Sequence, residues 1–173
     1  FNESIGDRTD FTKTTVITLD PKTARDFDDA ISLQNLENGH WQLGVHIADV
    51  SHFVPLHSEL DTEAFQRGTS IYLPDRVIPM LPEIISNNLA SLQPKRVRYC
   101  MTALIEFTSD GIPVQTELHR GAIQSAHRFT YEEIDDYLED DEPWKQKLPH
   151  EVFELVRNMH TLAMTLRRRR MKA

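Results

Sequence analysis

Two dipeptides constrain this chain more than any other feature: Asn38-Gly39 and Asp110-Gly111, each set between two strand-forming runs. Asn-Gly and Asp-Gly tolerate the left-handed backbone that a tight reversal requires, so each predicts an antiparallel hairpin. The first joins Ala30 to Leu36 with Trp41 to Asp49; the second joins Arg98 to Thr108 with Pro113 to Ile123. Along the strand from Trp41, alternation puts Trp41, Leu43, Val45 and Ile47 on one face and Gln42, Gly44, His46 and Ala48 on the other. Thr15 to Leu19 is β-branched and apolar and predicts another strand, ending at Asp20.

Helix signals follow the strand signals. Ser58 with Asp61 opens a short helix that Gly68 closes, and Thr130 with Glu133 forms a capping box for a helix through Leu138. Val152, Leu155, Val156, Met159, Leu162, Ala163 and Leu166 recur at helical spacing, and Arg167 to Arg170 suit the negative end of that helix. Three prolines between Tyr72 and Pro82 predict an extended loop without regular structure. The fold class is α+β: a mixed, mostly antiparallel sheet with covering helices. At 173 residues the length suits one domain.

Composition removes several classes. A single cysteine, Cys100, rules out an internal disulfide framework and predicts a reducing, cytoplasmic setting. No run reaches the ~18 apolar residues of a membrane helix, so no membrane partner is expected. The opening FNESIGDRTD lacks Met and a signal-peptide pattern, and the end LRRRRMKA leaves a helix running; an excerpt from a longer protein is expected. The net charge of −8 argues at first against nucleic acid. Eight acids, however, lie between Tyr131 and Glu142, and the rest of the chain balances 19 acids against 19 bases. The average therefore says nothing about partners.

The sharpest chemical feature is the run from Asp20 to Asp29, which holds Asp20, Asp26, Asp28 and Asp29 directly after a strand. Carboxylates that converge repel one another, and a hard divalent cation relieves that; oxygen-only donors favour magnesium or manganese. Asp is also common in solvated turns after strands, so the cluster reads equally as an acidic turn. A calcium EF-hand is excluded, because counting from Asp20 puts Lys22 and Ala24 at ligand positions, and counting from Asp26 puts Ala30 there.

The run from Thr18 to Ala30 resembles the opening motif of the RNB catalytic domain of the ribonuclease II and ribonuclease R family. The resemblance continues through Leu43 to His52 (LGVHIADVSH), Arg67 to Glu83 and Ser86 to Leu92 (SNNLASL), in order. It implies a magnesium-dependent hydrolytic exoribonuclease that shortens single-stranded RNA from the 3′ end and releases nucleoside 5′-monophosphates. Asp20, Asp26, Asp28 and Asp29 match the family's metal-site aspartates, with Asp28 the least dispensable, and Tyr72 matches a tyrosine that contacts the terminal nucleotides. It also implies that residues 1–173 are the N-terminal portion of the catalytic domain. An Arg-containing phosphate motif, a Glu near the scissile bond, and cold-shock and S1-type domains belong to the parts outside, so this portion alone is expected to be weak or inactive. The alternative is a non-catalytic RNA-binding relative with the same fold. Protein partners are left open.

Other residues carry less. His46, Asp49 and His52 suggest a metal set, but alternation puts His46 and Asp49 on opposite faces and favours structural hydrogen bonds. Lys95, Arg96, Arg98, Arg120 and Arg128 read either as an RNA-facing patch or as scattered solvated charges, and Cys100 as buried and inert.

Overall fold

Both glycine turns reverse the chain as the sequence requires. In the computed structural model, which describes residues 4–172, Gly39 and Gly111 adopt φ of 77° and 75°. The first turn joins β3 (Asp29–Asn35) to β4 (Trp41–Ala48), and the second joins β7 (Val97–Phe107) to β8 (Pro113–Gln124). A Cβ at Gly111 would also lie 3.1 Å from the side chain of Leu166, which would have to give way by a few tenths of an ångström. With β1 (Thr9–Phe11), β2 (Ile17–Asp20) and β9 (His127–Thr130), these strands make one seven-stranded sheet in the order β1-β8-β7-β4-β3-β2-β9. The inner pairings are antiparallel, and the two edge pairings, β1 with β8 and β2 with β9, are parallel. The sheet is mixed and mostly antiparallel, and the class is α+β.

Alternation along β2 divides the molecule into two cores. Ile17 and Leu19, with Phe129 of β9, meet the helical layer: α2 (Tyr131–Glu139), α3 (Trp144–Lys147) and α4 (His150–Lys172). Val152, Phe153, Leu155 and Val156 of α4 are buried there, each worth ~1.5–3 kcal/mol of transfer from water. The Thr130 capping box forms in full, with Thr130 accepting from the Glu133 N–H and Glu133 accepting from the Thr130 N–H. On the opposite face Val16, Phe27, Ala30, Ala48, Leu92, Cys100 and Ile123 form the second core. Thr18 and Asp20 fall on this face by the same period of two.

The short helix forms as α1 (Glu59–Arg67), capped by the Ser58 side chain and closed by Gly68 at φ 73°. The proline-rich stretch differs from expectation. β5 (Ile71–Tyr72) and β6 (Val77–Ile78) form a small hairpin, with Tyr72 opposite Val77. Pro74 lies in the turn, which closes through the Leu73 N–H and the Arg76 carbonyl, and Pro79 follows β6. The prolines flank the ladder and remove none of its donors. Ile85–Leu89 makes one turn of π-helix.

Candidate active site

Asp20 closes β2 on the face away from the helices and is 9% exposed. Burial, then the charge of Asp29, with smaller contributions from Asp26 and Asp28, pushes its carboxyl up to about 6, against the attraction of Arg128. Its Oδ2 is buried and has no hydrogen-bond partner among the described residues, and the same holds for Thr18 Oγ1 and Arg128 Nε. These groups share a face, because Thr18 pairs with Arg128 across the parallel β2–β9 ladder. Asp28 meets solvent, yet partial desolvation and then the charges of Asp26 and Asp29 raise its pKa too.

The loop from Pro21 to Asp28 is tied down on both sides. Arg128 donates from Nη2 to the Pro21 carbonyl at 2.7 Å and lies 5.2 Å over the Phe27 ring. The Ser91 hydroxyl accepts from the Phe27 N–H at 3.0 Å and donates to the Arg25 carbonyl at 2.9 Å. The Leu92 N–H reaches the Phe27 carbonyl, and the Ala48 N–H reaches that of Asp28. Asp29 then opens β3, opposite Ile47. A rigid strand end followed by a pinned loop is what holds four like charges in one neighbourhood.

A cleft of about 850 Å³ lies over this loop. Asp20, Asp26 and Asp28 line it together with Val50, Tyr72, Val77, Pro79 and Met80. Tyr72 is 71% exposed, so its ring is free to meet a ligand. The structure thus brings three of the four aspartates and Tyr72 to one cleft, while Asp29 acts on it through its charge. Among the described residues no three His, Cys, Asp or Glu groups stand ready to close on one ion. The donor chemistry fits a hard divalent cation nonetheless: the oxygens are carboxylates, one is an orphan, and burial followed by mutual repulsion raises two of them.

Several of the other candidates serve the scaffold. His46 is fully buried between Ser32 Oγ at 3.0 Å and Thr102 Oγ1 at 2.9 Å. Asp49 pairs with Arg8 and accepts from Ser51 and the His52 N–H. Cys100 is buried, and burial pushes its thiol up to about 11. Of the basic residues, Arg98 is 3% exposed with its Nε on the Ser91 carbonyl, and Arg128 serves the loop.

A family model, that of the RNB domain, matches residues 8–173. The chain belongs to the RNB family. Ribonuclease R of Thermotoga maritima is 44% identical over 165 residues, which cover 95% of this chain and 23% of that protein. Ribonuclease R of Chlamydia pneumoniae is 44% identical over 146 residues, covering 84% of this chain and 21% of that protein. This RNB chain therefore spans under a quarter of the length of these relatives. Mycoplasma genitalium RNase R, solved in complex with double-stranded RNA, superimposes with a TM-score of 0.89 at 36% identity, covering 95% of this chain and 29% of that one. Yeast Ssd1, a pseudonuclease, gives 0.81 at 20% identity over 99% of this chain and 20% of its own, a likeness of fold alone. A pseudonuclease shares this fold, so the fold alone does not decide catalysis.

Sequence reasoning foresaw neither the contacts of Ser91 nor the hydrogen bond by which Arg128 holds the loop. Ser91 was visible as one small polar residue in the otherwise apolar Leu89-Ala-Ser-Leu92. Nothing local marks the residue it serves, 64 positions away.

Proposed function

We propose that this chain is the N-terminal part of an RNB exoribonuclease catalytic domain. The full-length protein hydrolyses single-stranded RNA from the 3′ end, in the cytoplasm, and releases nucleoside 5′-monophosphates. Asp20, Asp26, Asp28 and Asp29 would hold magnesium, with manganese as a substitute. The observation that carries this reading is that Asp20, Asp26 and Asp28 line the same cleft as the exposed Tyr72. Two bound divalent ions supply Lewis-acid polarisation of a phosphodiester and a water of lowered pKa.

The chain's own residues bind and orient. The end of β2 fixes Asp20, and the Ser91 and Leu92 contacts hold the loop that presents Asp26 and Asp28. Tyr72 offers an open ring for stacking on a terminal base, supported on a hairpin whose turn contains Pro74. The apolar side chains of Val50, Val77 and Met80 line the same cleft as the aspartates and would offer the base and ribose apolar contact. A side-chain nucleophile is not needed for phosphodiester hydrolysis of this kind.

A non-catalytic RNA-binding role is the second reading, and the Ssd1 likeness keeps it in play. The presence of all four aspartates favours catalysis. Asp28→Asn in the full-length protein, assayed on end-labelled single-stranded RNA with magnesium, separates the two. The expected result is RNA binding retained with a rate loss of roughly a hundredfold or more, the scale of removing a few kcal/mol of transition-state stabilisation. Undiminished hydrolysis would refute the assignment; a wild-type protein that binds RNA and never shortens it would establish the second reading.

A further inference from the structure

We propose that Ser91 is a positioning residue for the metal-ligand loop, acting through the two peptide groups that flank Asp26; this rests on the metal reading above. Ser91 is fully buried. Its hydroxyl has one proton to give and two lone pairs to fill, and all three are used. It donates to the Arg25 carbonyl at 2.9 Å, and it accepts from the Phe27 N–H and from Gln93 Nε2, both at 3.0 Å.

The geometry of those contacts is the argument. The Arg25 carbonyl belongs to the peptide plane before the Asp26 Cα, and the Phe27 N–H belongs to the plane after it. Peptide planes are rigid, so φ and ψ of the residue between them are its only soft backbone degrees of freedom. One oxygen atom bound to both planes fixes those two angles, and with them the direction in which Asp26 leaves the backbone. Ser91 is itself held from behind. Arg98 of β7, 3% exposed, donates from Nε to the Ser91 carbonyl at 3.0 Å, and the Leu92 N–H binds the Phe27 carbonyl at 2.9 Å. The central sheet thus reaches the loop through a continuous line of hydrogen bonds.

A loop bearing Asp26, Asp28 and Asp29 beside Asp20 would relax outward to separate its charges. Ser91 opposes that relaxation before any ion arrives. Its contribution is therefore to ion affinity, beyond any contribution to folding. Partners of this kind, one step behind a ligand, change metal affinity by roughly 10- to 100-fold when removed.

The test uses the full-length protein and Mn²⁺ as the probe, with free Mn²⁺ read by electron paramagnetic resonance. Ser91→Ala is compared with Ser125→Ala, a second buried serine whose hydroxyl donates to a backbone carbonyl, that of His127, outside the loop. Gln93→Ala, which removes another donor to the Arg25 carbonyl from a more open position, is the milder variant should Ser91→Ala fail to fold. The expected result is Mn²⁺ affinity lowered roughly tenfold or more in Ser91→Ala, lowered less in Gln93→Ala, and unchanged in Ser125→Ala. RNA hydrolysis by Ser91→Ala recovers as Mn²⁺ is raised, with the KM for RNA unchanged. Wild-type affinity in the folded loop variants, or an equal loss in Ser125→Ala, overturns the role of Ser91 while leaving the metal reading intact. A wild-type protein that binds no Mn²⁺ overturns both.

Discussion

Replacing Asp20 by asparagine should stabilise the metal-free chain, and the size of the effect follows from the site. Burial and the charges of Asp29, Asp26 and Asp28 raise the Asp20 carboxyl from 3.8 to about 6. A shift of about two units corresponds to ~3 kcal/mol between the two protonation states. The cleft above Asp20 is open to water, which screens its neighbours, so ~1–2 kcal/mol is the working figure. The sign is set by linkage. A carboxyl whose folded pKa is raised binds its proton more tightly in the native state. Its favourable contribution is complete below pH 3.8 and is lost as pH rises through about 6. Asparagine keeps the shape and removes the charge. In chelator at pH 8, Asp20→Asn should melt ~2–8 °C above wild type, taking ~2–4 °C per kcal/mol for a chain of this size. At pH 4 the two curves should converge. The assay is thermal unfolding by circular dichroism at both pH values. An asparagine variant no more stable than wild type at pH 8 would refute the reasoning, because Asp20 would then be neither crowded nor desolvated.

Two further outcomes are expected. His46 is buried between two hydroxyls, and burial pushes its pKa from 6.5 down to about 4. Its contribution is complete above pH 6.5 and is lost as pH falls toward 4, ~3 kcal/mol in all. Because Asp20 tilts the curve the other way, urea unfolding of Asp20→Asn with and without His46→Gln isolates it; identical acid limbs would contradict the assignment. Tyr72→Ala should leave the melting temperature within a degree or two, since the side chain is 71% exposed. Titration with single-stranded RNA should show affinity lowered by ~1–3 kcal/mol, the worth of one stacked base, with Tyr72→Phe near wild type. Equal binding by Tyr72→Ala would remove Tyr72 from the site.

What could be read in advance and what could not divide along sequence distance. Gly39, Gly111, Ser58, Gly68, Thr130 and Glu133 act on residues next to them, and every turn and cap they announce is present. The edge strands β1 and β9 are three and four residues long, too short for alternation to register, and β1 finds its partner more than 100 residues away. The β5–β6 hairpin was hidden because proline content marks where a ladder stops, and gives no sign that two residues on either side of Pro74 pair. In the site, the aspartates were legible because they are clustered, and Tyr72 through its family motif. The groups that hold the loop, Ser91 and Arg128, were not, since a serine hydroxyl or a guanidinium looks the same in sequence whether it faces water or a distant peptide.

The parallel pairing of β2 with β9 also sets an order of events. β2 carries Asp20, and β9 begins at His127, so the strand that ends in the first aspartate of the cluster gains its outer neighbour only when chain more than 100 residues downstream is available. During synthesis, the β3–β4 hairpin is complete long before that. Closing a span of this length is among the slower steps of folding. The acidic cluster thus gains its last flanking strand late, after the β3–β4 hairpin, and a nascent chain would not complete this end of the sheet until residue 130 has left the ribosome.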